Sequence, residues 1–164
     1  MRFCAFLEKA LRLSLAVLVV VIVGVVLLQV AGRLLSKYVS SAIPAATWTE
    51  EIAGFLLAWL ALLGAVYAYR RRLHVGDDYF VKKMPPRVRR AAEWGGFGVE
   101  ILFFAGILGF GGARLVWVTF LLGQASSVLR WPMGAVYLVI PLSGALMALF
   151  AVDGRFGPRG EAGR

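Results

Sequence analysis

One cysteine, Cys4, and one histidine, His74, are all that 164 residues supply of the side chains that most often build redox and metal sites. A lone cysteine excludes an intrachain disulfide, and a lone histidine excludes most imidazole-built metal centres. A bundle carrying b-type haem needs paired axial histidines and a thiol oxidase needs paired cysteines; neither pair exists. Charge is scarce as well. Asp, Glu, Lys and Arg make up 16% of the chain, against about 25% in an average globular domain. There is no G-x-S-x-G elbow, no H-E-x-x-H helix and no phosphate-binding glycine loop. The Asp77-Asp78 pair stands in a basic loop without further carboxylates for a metal, and reads as a helix cap or local charge balance. The sequence therefore predicts no enzyme, no metal and no cofactor.

What fills the chain is hydrocarbon. Apolar residues reach 60%, well above the usual ~45–50%, and the basic excess is 18 Lys and Arg over 9 Asp and Glu. A nucleic-acid binder would spread such charge over a soluble face, and the long apolar runs leave none. Four uncharged stretches stand out: Leu13 to Gly32, Ile52 to Tyr69, Gly95 to Ala113 (broken only by Glu100) and Trp131 to Val152. Each is long enough for a hydrocarbon core of about 30 Å. Lipid offers the backbone no hydrogen-bond partner, so each must be helical, and none alternates as a barrel strand would. The expected fold is all-α: a single membrane domain over 1–164, with helices at about 11–33, 48–70, 94–117 and 131–152. The apolar core of the first span is too long for a cleavable signal peptide. Upstream of it, Phe3, Phe6, Leu7, Ala10 and Leu11 recur at helical spacing, so that stretch either extends the helix or lies along the membrane surface.

The connections differ sharply in cations. Three precede the first span, three follow the last, and eight crowd residues 70–93: Arg70, Arg71, Arg72, Lys82, Lys83, Arg87, Arg89 and Arg90. On the other side only Arg33, Lys37, Arg114 and Arg130 remain, so the split is 14 to 4. Positive charge in short loops marks the cytoplasmic side, which places both termini and the 70–93 loop there. The cluster serves that orientation, anionic lipid head groups, or both.

Local signals fit this layout. Thr47 and Glu50 have the spacing of a capping box before the second span, and Pro86 suits the first position of the third helix. Pro132 suits the start of the fourth, and Pro141 should bend it. Trp48, Trp94, Trp117 and Trp131 fall near the expected interfaces. Ala105, Gly109 and Ala113, four apart on the third span, predict a face for close helix packing. Glu100 is the one carboxylate within a span, which makes it a functional candidate; its nearness to Trp94 favours snorkelling to Arg89 or Arg90.

One region is more specific. Trp48-Thr49-Glu50-Glu51 opens a helix that carries Gly64-Ala65 late in its course, and Arg70-Arg71-Arg72-Leu73-His74-Val75-Gly76-Asp77 follows, then Lys82-Lys83-Met84-Pro85-Pro86. This pattern resembles the small membrane subunit, DctQ-like, of the tripartite ATP-independent periplasmic (TRAP) transporters. Arg72 departs from the glycine often found there, and Asp77-Asp78 from the more usual Val-Asp. The resemblance implies a non-catalytic inner-membrane (plasma-membrane) subunit scaffolding a large multi-span subunit that works as an elevator. A periplasmic binding protein would deliver an organic acid. It also implies partner-contact roles for Trp48, Glu50, Glu51, His74 and Asp77. Helix dipole and capping account for one carboxylate at the start of the second helix; the second is free to meet a cation on a partner. The competing reading is a small homo-oligomeric, ion-coupled transporter or channel that uses Glu100.

Overall fold

The computed structural model describes residues 2–38, 47–71 and 85–156. The first span is one unbroken helix, α1 (Arg2–Tyr38), so the amphipathic segment before the apolar run extends the helix. At 1.5 Å per residue its 37 residues reach about 55 Å, well past a bilayer core. The second is α2 (Thr47–Arg70). The third is a long rod of three consecutive pieces: α3 (Pro86–Ile101), a π-helical stretch π1 (Leu102–Gly111) and α4 (Gly112–Leu121). Pro86 opens α3 from its first turn, where a missing N–H costs nothing. The fourth is split into α5 (Met133–Tyr137) and α6 (Val139–Phe156). Pro141 would have clashed with the carbonyl four residues back; the helix breaks at Leu138, which leaves Pro141 in the first turn of α6. Among the described residues, four helical segments are long and apolar enough to cross a membrane, at Phe6–Leu35, Trp48–Arg70, Val88–Leu121 and Met133–Gly154.

α1 packs on α2, α2 on α6, and α6 on π1. The core is small: Leu11, Leu63, Val66, Val139, Met147 and Phe150, mostly toward the end of the bundle where α1 starts and α6 finishes. Most remaining apolar side chains face outward; none of the most hydrophobic window of α1 is buried. That inversion suits a chain whose surroundings are as apolar as its own side chains. Trp59 Nε1 donates to Val136 O at 3.1 Å, tying α2 to the end of α5 beside the break.

One close helix crossing lies at Gly144. A Cβ there would stand 2.6 Å from Leu108 Cβ and 2.7 Å from both Gly109 N and Phe104 O, so only glycine lets π1 approach. A Cβ on Gly112 would stand 2.8 Å from Ile140 and 2.9 Å from Pro141. The packing face of the third span is thus Phe104, Leu108, Gly109 and Gly112. Of the stripe expected at Ala105, Gly109 and Ala113, the crossing uses Gly109, while Ala105 and Ala113 are exposed. The spacing of four holds but starts one position earlier: Phe104, Leu108 and Gly112 form the line that meets α6.

Candidate functional site: polar clamps at the two ends of the bundle

Helices that run antiparallel bring α1's C-terminal part, the start of α2 and the 122–132 connection to one end. There the two adjacent carboxylates of α2 diverge. Glu50 Oε1 accepts from Gln29 Nε2 at 2.9 Å and from Arg33 Nη2 at 2.8 Å, pinning α1 to α2. Thr47 already belongs to the helix, and Glu50 turns to the guanidinium, where both partners carry charge and Coulomb attraction adds to the hydrogen bond. Both ion-pair partners are more than half exposed.

Glu51 has a different task. After α4, Gly123 takes the left-handed φ of +60° that closes the helix, and Ala125 bridges Pro132 in a small antiparallel pair. Ser126 N donates to Trp131 O at 2.8 Å, and Met133 N to Gln124 O at 2.9 Å. The turn between them passes through Arg130, at φ +54°. Its amides converge on Glu51: Ser127 N on Oε1 at 3.2 Å, Val128 N on Oε2 at 3.3 Å and Leu129 N on Oε2 at 2.9 Å. Three successive N–H groups aimed at one anion form a nest, and Glu51 is its resident ligand. The buried Ser126 hydroxyl lies beside the same carboxylate without completing a hydrogen bond of its own. Trp48 stands at the rim, about half exposed.

The opposite end is held by side chains alone. Arg70 Nη1 lies 2.7 Å from Asp153 Oδ2 and Arg70 Nε 3.8 Å from Glu8 Oε2, while Arg71 Nη2 lies 2.9 Å from Glu8 Oε1. The Arg70 guanidinium also sits 5.2 Å over the Phe150 ring. One network thereby joins α1, α2 and α6. α3 is joined through Glu100, whose Oε2 accepts from Tyr69 Oη at 2.7 Å, with Tyr69 edge-on to Phe104 at 5.0 Å. The expected snorkelling to Arg89 or Arg90 gives way to this bond with the neighbouring helix.

Arg70 and Arg71, read as orientation or head-group residues, are therefore also structural. Arg89 and Arg90 are exposed on α3, and Arg87 falls in its first turn. Arg72, His74, Asp77, Lys82 and Lys83 lie outside the described residues. Glu8, Asp153, Tyr69, Gln29, Arg33 and the 127–129 amides were not singled out from sequence. Two of them carried a signal: Glu8 is the lone carboxylate before residue 50, and Asp153 the lone one between Glu100 and Glu161. Among the described residues, no three His, Cys, Asp or Glu side chains gather as a metal site would require.

A four-span bundle with polar residues spent on its own ends agrees with the sequence comparison. The profile of the DctQ component of tripartite ATP-independent periplasmic transporters matches residues 8–156. The chain belongs to the DctQ family. It is 34% identical over 110 residues to the C4-dicarboxylate TRAP transporter small permease protein DctQ of Rhodobacter capsulatus, covering 67% of this chain and 48% of that one. Against the isethionate TRAP transporter permease protein DctMQ of Oleidesulfovibrio alaskensis the identity is 28% over 128 residues, covering 78% of this chain and 20% of the relative. The chain thus spans about half the length, or less, of these curated relatives. This DctQ-family chain is a multi-pass protein of the inner membrane.

Proposed function

We propose that the chain is the non-catalytic scaffold of a TRAP transporter. It packs beside a large elevator subunit, and a periplasmic binding protein delivers a small organic acid to the pair. The observation that carries this reading is the use of the polar groups. Glu8, Arg70, Arg71, Asp153, Glu50, Glu51 and Glu100 are all engaged in holding helices or loops together, and the long outer faces are apolar. The described residues offer surface to a membrane partner and, among themselves, no polar cleft to a solute. C4-dicarboxylate and isethionate, named for the two relatives, are both small organic anions, which supports that substrate class. The 14-to-4 cation split supports cytoplasmic termini and a cytoplasmic 70–93 loop, whose cations Arg72, Lys82, Lys83, Arg87, Arg89 and Arg90 would face anionic lipid head groups and whose His74 and Asp77 would meet a partner. The end holding Glu50 and Glu51 is then periplasmic, where Trp48 and the loop held by Glu51 face the partners.

Reconstitution tests this. The purified chain alone in liposomes should move no organic acid, whereas co-expression with the large subunit and addition of the binding protein should give uptake. Uptake by the lone chain would overturn the scaffold reading. A cysteine placed at position 80, with Cys4 replaced, should resist impermeant reagents in intact cells; labelling there would reverse the topology.

A further inference from the structure

The second carboxylate of the Trp48–Glu51 motif exceeds what capping needs, yet it does not point outward. It fills the nest of the 127–129 amides. Its three bonds to residues 127–129 all end on backbone, with the buried Ser126 hydroxyl beside the carboxylate, so it fixes the shape of the turn without using the exposed side chains. Those side chains are what the turn presents: Val128 is 48% exposed and Trp131 60%, with Arg130 exposed between them. Arg130 holds a left-handed backbone conformation that a non-glycine residue rarely keeps unless its surroundings impose it. The turn lies beyond the end of α4 rather than along a membrane-facing helix side. The charge is one-sided. At this end the two described carboxylates are engaged within the chain, Glu50 by the Arg33 guanidinium and Glu51 by the 127–129 amides, while Arg114 and Arg130 are exposed cations.

We propose that Glu51 is a positioning residue: as the built-in anion of the 127–129 nest, it holds the Val128–Trp131 tip in the shape on which an acidic face of the soluble binding protein docks. The inference rests on the scaffold reading above, because that reading makes this end periplasmic. Glu51 touches no partner; it acts through the loop. Arg130 supplies the charge the partner meets, and Val128 and Trp131 supply the apolar area around it. An aromatic and an arginine side by side are the residue types that dominate binding at protein interfaces.

The test uses the complete membrane complex in lipid nanodiscs, titrated with its binding protein, beside hydrogen exchange of the same complex. In Glu51→Ala the 127–129 amides should lose protection and the dissociation constant should rise about tenfold, a typical loss for one interface anchor. The yield of large subunit on co-purification should stay unchanged. Formate, a small carboxylate able to enter the emptied nest, should restore part of both the protection and the affinity; Glu51→Lys, which fills the space with a cation, should show no rescue. Arg130→Glu should weaken binding by a similar factor with protection intact. Unchanged affinity in Arg130→Glu would overturn the proposal, as would lost protection in Glu51→Ala with unchanged affinity. Retained protection in Glu51→Ala would overturn the nest itself. Failure of the large subunit to co-purify with the unaltered chain would instead overturn the scaffold reading, while the exchange and formate measurements on the subunit would still decide whether Glu51 holds the loop.

Discussion

The two ends of the bundle solve one problem in opposite ways. Where the termini lie, Glu8, Arg70, Arg71 and Asp153 join three helices through side chains only, and each central member has two partners: Arg70 meets both Asp153 and Glu8, and Glu8 meets both Arg70 and Arg71. At the other end a single carboxylate, Glu51, gathers three backbone amides of one loop. The first arrangement is redundant and sets how helices sit against each other. The second has no spare part and sets how a loop is shaped. The same charges that orient the chain in the membrane also build the first clamp, which is why Arg70 and Arg71 serve two purposes.

This contrast can be broken in order of severity. The largest effect should come from Gly144→Leu, which drives a side chain into the backbone of π1 at a place where even a Cβ would stand 2.6–2.7 Å from its neighbours. Overpacking of this kind costs about 1–3 kcal/mol or more, and both ends should loosen together in thermal unfolding followed in detergent. Next, Arg70→Ala removes the member shared by Asp153 and Glu8. Its side chain is 25% exposed, and loss of charged hydrogen bonds should lower stability by about 1.5–3 kcal/mol, loosening the terminal end while the 127–129 amides stay protected from exchange. Glu8→Gln should cost less, about 1 kcal/mol or below, because Arg70 keeps Asp153. Independent failure of the two ends under Arg70→Ala sharpens the comparison; simultaneous failure would merge them into one unit. The smallest effect should come from Arg33→Gln, since an ion pair exposed to 71% and 53% contributes at most about 1 kcal/mol.

Much of the architecture was readable in one dimension. The four uncharged runs needed only length and the demand that lipid-embedded backbone satisfy itself, and the four membrane-length helices match that reading. Pro86 at the head of α3 was legible for the same local reason. The clamps were not. Glu51 meets amides 76 to 78 residues away, and no spacing rule links a helix start to a turn so remote. The Ala105–Gly109–Ala113 face has the right spacing but the wrong phase, because the crossing follows Phe104, Leu108 and Gly112 one position earlier, and small residues alone do not say which line meets a neighbour. The resemblance in residues 48–86 pointed to the right family while leaving the partner of Glu51 unidentified, because the motif names the carboxylate and the nest belongs to a different connection.

The nest has one further consequence, for how this loop can vary. Because Glu51 grips only main chain, the identities of Ser127, Val128 and Leu129 are not part of the grip; any residue that retains an N–H would serve, and proline alone is barred. Arg130 and Trp131 are likewise free to change so long as the chain can still turn at residue 130 and Trp131 O still accepts from Ser126. The tip is therefore an interchangeable cassette on a constant mount. Its face can be rewritten residue by residue to suit a new partner while the four helices beneath it keep their packing.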